Sequence, residues 1–534
     1  MKKNIVLRPE NTLKCGLVTL IALAFLLSAN QSGAAVGDSF TDANFKYTVL
    51  SEEGTAGTVS VAKQSESVPS GTVAIPGSVT SGSVTYSVTS VEYNAFKDCS
   101  GLTDITIPGS VASIEGYAFR DCTSLKKIEV SQTNITYTAE NGVLFTEDRT
   151  SLLCYPAGKE GEEYVIPESV TIIETGAFFS CGNLIRIVIP AGVNHINTSM
   201  ILGCSNLTDI EVSRENKDYT SVDGVLFTEN KASLVIYPAG KKSEMYTIPS
   251  SVSTIGFLAF DSCSHLTNIV IPNSVTAIEM GAFRYCTSLT NIVIPDKITR
   301  IDWAVFEYCT NLTSIKIPDK ITSIGIAAFK NCSSLTNITI PNSVTNIGIA
   351  AFYDCSSLTN IAIPDSITDI GEGVFSYCSS LTSVTIPDSI TGIGYMAFYN
   401  CGNLTNVVIG NGVSNIEGGA FRDCGSLTSV YFRGDAPEVG AEVFTSDPIL
   451  YYIERTSGWT TPTWNGYRTA VWIPVEPPAV SFEVKEGKLI LNYGGGSLEA
   501  SSDLILWSPV EGAQEGKYEV DLPKTGKLFY RVAQ

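Results

Sequence analysis

Apolar side chains recur along most of the chain with a period of 23 residues. In the stretch 335–340, LTNITI, isoleucines alternate with polar residues, which is the two-residue period of a strand with one buried face. Pro341 ends this strand because proline has no N–H to donate, and Val344 and Ile347 then place apolar side chains on a second arm. Each repeat therefore predicts one short strand followed by a second extended arm.

The remainder of each repeat carries the pattern Ala-Phe-x-x-Cys. Gly348 allows a sharp corner, and Ala351, Phe352 and Cys355 follow it at helix-like spacing, so this arm predicts a short helix. A leucine three residues after each cysteine fixes the register of the repeats. These leucines are Leu102, Leu125, Leu184, Leu207, Leu266, Leu289, Leu312, Leu335, Leu358, Leu381, Leu404 and Leu427.

One repeat of this length buries too little apolar surface to offset the conformational entropy of its own backbone. Stacked neighbours must supply the missing contacts through parallel strands and a continuous core. The expected fold class is therefore a β-rich repeat solenoid with short helices.

The full frame, A-F-x-x-C-x-x-L-T-x-I-x-I-P-x-x-V/I-T-x-I-G, resembles the BspA-like class of leucine-rich repeats over about residues 72 to 432. The resemblance implies a leucine-rich repeat superhelix. It also implies an exported bacterial surface protein, because members of this class are typically exported and some adhere to host proteins or to other cells.

The repeats occupy residues 96–432, with two homologous insertions at 131–167 and 213–249. Each insertion contains GVLF and a second apolar run, SLLCYP or SLVIYP, around a polar turn, which predicts a protruding β-hairpin. Residues 36–95 and 433–473 are expected to cap the two ends of the solenoid. The aromatic residues of the second cap could alternatively form a sugar-binding platform, and residues 478–534 predict a small β-sandwich.

Residues 1–35 have the order of a signal peptide, namely basic residues, the apolar run CGLVTLIALAFLL and small residues near Ala35. An uncleaved membrane anchor is the alternative, although the run is short for a span. No later run is long enough to cross a membrane, so we expect a secreted or cell-surface protein. Without residues 1–35 the net charge would fall from −20 to about −23, which argues against nucleic acid as a partner.

Twelve cysteines occupy equivalent repeat positions, and none forms the C-x-x-C pair that zinc sites use. Parallel stacking would keep their sulfur atoms side by side, so we interpret them as buried thiols rather than disulfides. The two histidines, His195 and His265, have no fixed catalytic partners in the sequence. The sequence therefore predicts no catalytic residue, no metal site and no cofactor.

The leading hypothesis is a non-enzymatic, monomeric repeat protein that binds a protein or a glycan and serves adhesion. A glycan-active enzyme with an unrecognised carboxylate site and a purely structural envelope component remain as alternatives.

Two outward columns are expected on the strand face. One is uniform and should stack on itself: Asn268, Asn291, Ser314, Asn337, Asn360, Ser383 and Asn406. The other varies, and we expect it to bind the ligand: Val270, Val293, Lys316, Thr339, Ala362, Thr385, Val408 and Tyr431.

A third set of exposed side chains is expected next to the cysteines. It consists of Tyr285, Tyr308, Tyr353, Tyr377 and Tyr399. Aromatic side chains often dominate the energy of an interface, so this set is an alternative binding surface.

Overall fold

The computed structural model describes residues 35–65 and 68–473, and the backbone of six strands beyond them. Residues 1–34 of the expected signal peptide lie outside the described residues. The described chain divides into two compact units. The first runs to Val430 and includes Pro437–Pro448, and the second consists of Tyr431–Ala436 and the residues from Ile449 onward.

The first unit contains a solenoid in which successive coils add parallel strands to two ladders. The long ladder is built from the Ile-x-Ile strands, whose isoleucines point inward while their neighbours point outward. Its strands are Gly71–Ala74, Leu102–Ile107, Lys127–Val130, Glu163–Val165, Arg186–Ile189, Asp209–Val212, Met245–Thr247, Asn268–Val270, Asn291–Val293, Ser314–Lys316, Asn337–Thr339, Ser383–Ile386 and Asn406–Ile409.

The short ladder is built from the second arm of each coil. Its strands have two residues in the regular coils, and the second residue of each is apolar, as at Ile324 and Ile347. They are Ser113–Ile114, Ile172–Ile173, His195–Ile196, Thr254–Ile255, Ala277–Ile278, Arg300–Ile301, Ser323–Ile324, Asn346–Ile347, Asp369–Ile370, Gly392–Ile393, Asn415–Ile416 and Glu438–Val439.

The third arm of each coil is not the short helix that its spacing predicts, and we call the stack of these arms the turn column. In the arm that contains Phe329, Ala327 and Asn331 have φ of +53° and +60°, a left-handed conformation that an α-helix cannot accommodate. The N–H groups of these three residues donate to carbonyl oxygens of the next coil at 2.7 to 2.9 Å, and the residues between them bond locally. The helix prediction is therefore wrong, and Thr198–Ile201, a 3₁₀ helix, is the one helix among the described residues.

A column of stacked phenylalanines fills the core behind the turn column. From Phe260 to Phe444, ring centroids of successive coils lie 5.1 to 5.6 Å apart. The twelve repeat cysteines are buried, as predicted, beside this column. The predicted fold class, a β-rich leucine-rich repeat solenoid, is confirmed apart from its helices.

The N-terminal segment forms a sheet that continues into the short ladder. Its strands are Ser39–Thr41, Phe45–Glu53, Ala56–Lys63, Ser78–Ser81 and Val84–Val91. The last of these strands pairs in parallel with Ser113–Ile114, and Tyr47 and Tyr86 are fully buried in this sheet.

Each insertion forms three antiparallel strands. In the first they are Tyr137–Glu140, Val143–Thr146 and Ser151–Cys154, and in the second Tyr219–Val222, Val225–Thr228 and Ser233–Ile236. The third strand of each pairs in parallel with the next coil and so enters the short ladder. Because the Val-Leu-Phe segments at 143–145 and 225–227 are buried, the insertions widen the core and do not protrude as free hairpins.

The second unit is all-β in its described part. Strands Ile449–Ile453 and Tyr467–Trp472 are parallel, and Thr463–Trp464 pairs antiparallel with the latter. Farther along, two antiparallel sheets contain the strands Ser481–Lys485, Lys488–Asn492 and Lys517–Asp521, and Ser497–Ser501, Ser508–Pro509 and Phe529–Ala533. The predicted all-β character is confirmed, whereas the sandwich packing and the boundaries of all segments stay predictions.

Candidate ligand-binding face

Within each sheet of the long ladder, the outward side chains form a continuous surface because the strands are in register. Asn291 pairs with Ser314, Ile292 with Ile315 and Val293 with Lys316, so equivalent side chains form straight columns. The isoleucines are buried, and the residues on either side of them are exposed. The sequence alternation therefore predicts correctly which side chains face solvent.

The variable column is contiguous through its first five members. Val293, Lys316 and Thr339 pair directly, and a bridge joins Thr339 to Ala362. Val270 and Val293 are 44% and 68% exposed, high values for valine, and Lys316, Thr339 and Ala362 are also exposed. The structure thus brings these five residues together on one face.

The remaining predicted residues form two further groups. Thr385 is exposed and pairs with Val408, which is half-buried. Tyr431 belongs to the second unit, where its ring stacks on Tyr451 at 4.9 Å and meets the edge of Trp472 at 5.2 Å. Tyr431 is therefore part of an aromatic cluster rather than an isolated ligand-facing side chain.

The uniform column lies in register, since Asn268 pairs with Asn291 and Ser314 pairs with Asn337. Its seven members are exposed, and within the described residues no side-chain hydrogen bond joins two of them. The threonine one position earlier bonds between coils instead, because its hydroxyl reaches the carbonyl of the equivalent residue 23 positions earlier, at 3.0 to 3.4 Å. The threonines that do so are Thr267, Thr290, Thr313, Thr336, Thr359, Thr405 and Thr428.

Sequence reasoning missed the part of this face that precedes Asn268 in the chain. Thr247 pairs with Val270 and extends the variable column. Arg186 forms ion pairs with Glu163 at 3.7 Å and with Asp209 at 3.3 Å, and a third with Glu211. The spacing from Leu184 could have identified Arg186, since it follows that leucine by two residues, as Asn268 follows Leu266.

The tyrosines of the turn column form one stacked pair and one cluster of three tilted rings. Tyr285 lies on Tyr308 with centroids 4.5 Å apart, and Tyr377 contacts Tyr353 and Tyr399 at 5.1 and 5.2 Å. Of these, Tyr285 is 38% exposed. Because the rings are covered by one another, this set offers mostly ring edges to a partner.

The buried charge nearest this surface is structural. Asp261 accepts a hydrogen bond from Arg284 at 2.7 Å, and burial nevertheless raises the pKa of the carboxyl above its usual value. Across residues 35–65 and 68–473, no three His, Cys, Asp or Glu side chains converge as metal ligands. Exposed columns of mostly uncharged side chains on this ladder can bind a partner by surface complementarity.

Within the same described part of the chain, no helix has the length and apolar character needed to cross a membrane.

Three solved structures are similar to this chain. A leucine rich cell surface protein from Faecalibacterium prausnitzii is 25% identical, with coverage of 76% of this chain and 96% of that one and a TM-score of 0.37. A leucine-rich repeat protein from Bacteroides ovatus is 22% identical over 81% of this chain and 100% of its own, with a TM-score of 0.37. One from Eubacterium ventriosum is 22% identical over 80% and 100%, with a TM-score of 0.38. No curated protein matches the chain.

The family model described as the BspA type leucine-rich repeat region matches residues 75–146, 158–242, 236–359 and 345–461. These ranges cover most of the chain, including part of the first insertion and all of the second, and agree with the frame of Phe, Cys, Leu, Ile and Pro found in the sequence. The chain therefore belongs to the BspA type leucine-rich repeat family.

Proposed function

We propose that this protein is an exported, non-enzymatic binding protein that captures a protein or glycan ligand on the long ladder and serves adhesion. The observation that supports this proposal most strongly is the contiguous exposed column of Val270, Val293, Lys316, Thr339 and Ala362. Its side chains differ from coil to coil while the buried isoleucines beside them do not, so this column can vary without disturbing the core.

The composition of the column favours a largely uncharged ligand surface. Lys316 is its one charged member among the five contiguous residues, and the exposed valines offer apolar area that a monomeric protein otherwise buries. A row of exposed side chains on strands in register suits an extended contact with a protein or with a glycan chain. Export is supported by the order of basic, apolar and small residues in 1–35.

Binding of residues 36–534 to an array of host matrix proteins, cell-surface proteins and glycans tests this proposal. We expect selective capture of one class and no turnover of polysaccharide or peptide substrates in a parallel assay. Turnover would favour the enzyme alternative, and the absence of any specific capture would favour a structural envelope component.

A further inference from the structure

A row of apolar side chains follows the turn column through five consecutive coils. The N–H of Ala304 donates to the carbonyl of Ile326 at 2.9 Å, and the N–H of Ala327 donates to the carbonyl of Ile349 at 2.9 Å, so equivalent residues are stacked in register. Trp303, Ile326 and Ile349 are 48%, 43% and 47% exposed. We call this row the apolar stripe, and its members are Phe257, Met280, Trp303, Ile326 and Ile349.

The apolar stripe has two defined ends. Thr198 holds the equivalent position in the coil before the second insertion, and Glu372 holds it in the coil after Ile349. Contiguous apolar side chains on a protein surface usually mark a contact with another molecule. Tryptophan and methionine are also enriched in the centres of protein interfaces. The stripe is therefore a candidate interface.

The charged side chains beside the stripe neutralise one another. Asp261, Arg284, Glu307 and Lys330 hold equivalent positions in four consecutive coils, so the sign of the charge alternates along this column. Arg284 lies 2.7 Å from Asp261, and Lys330 lies 3.3 Å from Glu307. The border of the stripe is thus neutral in a chain whose net charge is −20. A second copy of the chain meets less repulsion here than at an acidic surface.

The alternating charges also select a register for such a contact. When two copies meet about a twofold axis with their coils in opposite order, each column faces the same column of the other copy. An axis between the coils of Arg284 and Glu307 places these two residues opposite each other. The same axis places Lys330 opposite Asp261. Every cation of the column therefore faces an acid of the second copy.

The same axis brings the apolar stripe onto itself. Met280 lies opposite Trp303 of the second copy, and Phe257 lies opposite Ile326. An axis shifted to the coil of Trp303 would also match apolar residues, but it would place Arg284 opposite Lys330 of the second copy. Opposed like charges weaken association and exclude wrong arrangements. The apolar and charged columns thus agree on one register.

We propose that residues 257–330 of the turn column form an antiparallel, twofold interface between two copies of this chain. Met280 and Trp303 pack at the axis, with the charged column beside them. The contact spans four coils, about 14 Å from first to last at the usual strand spacing. So short a contact belongs to the class of weak interfaces that bury less than about 1,200 Å² in total. The monomer expected from the sequence is then the state of the dilute protein.

Sedimentation equilibrium of residues 36–534 tests the association. Protein concentrations from about 10 µM to about 1 mM cover the dissociation constants of weak contacts. We expect the average mass to rise toward twice that of the monomer. We also expect association to tighten severalfold between about 0.05 and about 0.5 M salt, because salt screens the repulsion between two acidic chains. A protein that stays monomeric at about 1 mM overturns the proposal and leaves the stripe to a different partner.

A double variant tests the position of the axis. Met280→Glu with Trp303→Glu places four carboxylates at the axis and should abolish association at an unchanged melting temperature. Ile326→Glu alone serves if the double variant does not fold. Ile135→Glu with Met245→Glu is the control, because both residues are exposed and lie outside the turn column. Association that survives the axis variant, or that is lost in the control, overturns the proposal.

Crosslinking tests the antiparallel order of the coils. Phe257→Cys and Ile326→Cys variants are mixed and treated with a short bismaleimide, both in a Cys154→Ala background that lacks the half-buried thiol. We expect a crosslinked dimer from the mixture, because the two positions face each other. Each variant alone should give little, because its two cysteines lie three coils, about 14 Å, apart along the interface. Equal crosslinking in the mixture and in the single variants contradicts the antiparallel interface.

Discussion

The thiol of Cys355 donates a hydrogen bond to the carbonyl oxygen of Phe329 in the preceding coil, at 3.2 Å. The same oxygen accepts the N–H of Cys332 at 3.1 Å. Equivalent thiol bonds of 3.1 to 3.3 Å recur in every regular coil from Cys286 to Cys424. A cysteine fits here because the position needs a small apolar side chain that can also donate a weak hydrogen bond.

The first prediction concerns the reactivity of these thiols. Because they are buried and bonded to carbonyl groups, thiol-specific reagents should label them slowly in the native protein and rapidly in denaturant. Cys154, which is only half-buried, should react first. Mass spectrometry of the unreduced protein that finds disulfides between neighbouring coils would contradict this account.

The second prediction is a loss of stability at alkaline pH. Burial raises the pKa of the Cys378 thiol to about 12 and that of the Cys332 thiol above its usual value. Unfolded cysteines ionise near pH 8.5, so above that pH the folded state binds more protons than the unfolded state. The free energy of unfolding should therefore fall as pH rises, by up to about 1.4 kcal/mol per pH unit for each such thiol.

Denaturant unfolding in a reducing buffer at several pH values between 8 and 10 measures this slope. Replacing Cys332, Cys355 and Cys378 by alanine should make the slope shallower, even though it lowers stability at neutral pH. A free energy of unfolding that does not change over this interval would refute the assignment.

The third prediction tests the phenylalanine column. Phe329 contacts Phe306 and Phe352, each at 5.4 Å, and is fully buried. Phe329→Ala removes packing at two coil interfaces and should destabilise the protein by about 3 to 5 kcal/mol. Ile349→Ala, at a 47% exposed position in the next coil, should change stability by less than about 0.5 kcal/mol. Similar losses for both variants, measured by chemical denaturation, would argue against a packed ring column.

The fourth prediction tests how the insertions are attached. The side chain of Asn216 is buried, and its Nδ2 donates to the carbonyls of Pro190 and Val193 at 2.9 and 2.8 Å. Its Oδ1 accepts from the N–H groups of Asp218 and Tyr219 at 2.9 and 2.8 Å. One side chain thus joins the second insertion to the coil before it.

Asn216→Ala removes all four of these hydrogen bonds, two of them to the buried residues Pro190 and Val193, and should cost about 2 to 4 kcal/mol. Asn216→Asp keeps the two accepted bonds and loses the two donated ones, so it should also destabilise the protein. Lys217→Ala, at the exposed neighbouring position, is the control. Wild-type stability in Asn216→Ala would show that the insertion is held by other contacts.

The ladders could be predicted from the sequence because apolar residues at every second position, such as Ile338 and Ile340, indicate a strand with one buried face. The helix prediction failed because Ala351, Phe352 and Cys355 have a spacing that two backbone conformations share. What excludes the helix is the left-handed backbone at residues such as Ala327 and Asn331, which are not glycines and give no signal in the sequence.

The same alternation predicts which side chains of the candidate site are exposed, such as those of Val293 and Thr339. The hydrogen bonds between coils could not be predicted, because Thr290 and Asn291 are both typical of their positions in the repeat. Only the structure shows that the threonine hydroxyl, and not the asparagine side chain, reaches the preceding coil.

The central claim is that the variable column of the long ladder captures the ligand, and one comparison of variants tests it most directly. Val293→Glu, Lys316→Glu and Thr339→Glu together change the column in three consecutive coils. The control is Trp303→Glu, Ile326→Glu and Ile349→Glu, which alters exposed side chains on the turn column of the same coils and adds nearly the same charge.

The measurement is the Kd of each triple variant for the ligand captured from the array, together with its melting temperature. The account predicts that the column variant loses capture at an unchanged melting temperature, whereas the control binds like the wild-type protein. Unchanged affinity in the column variant, or loss of capture in the control alone, would contradict it.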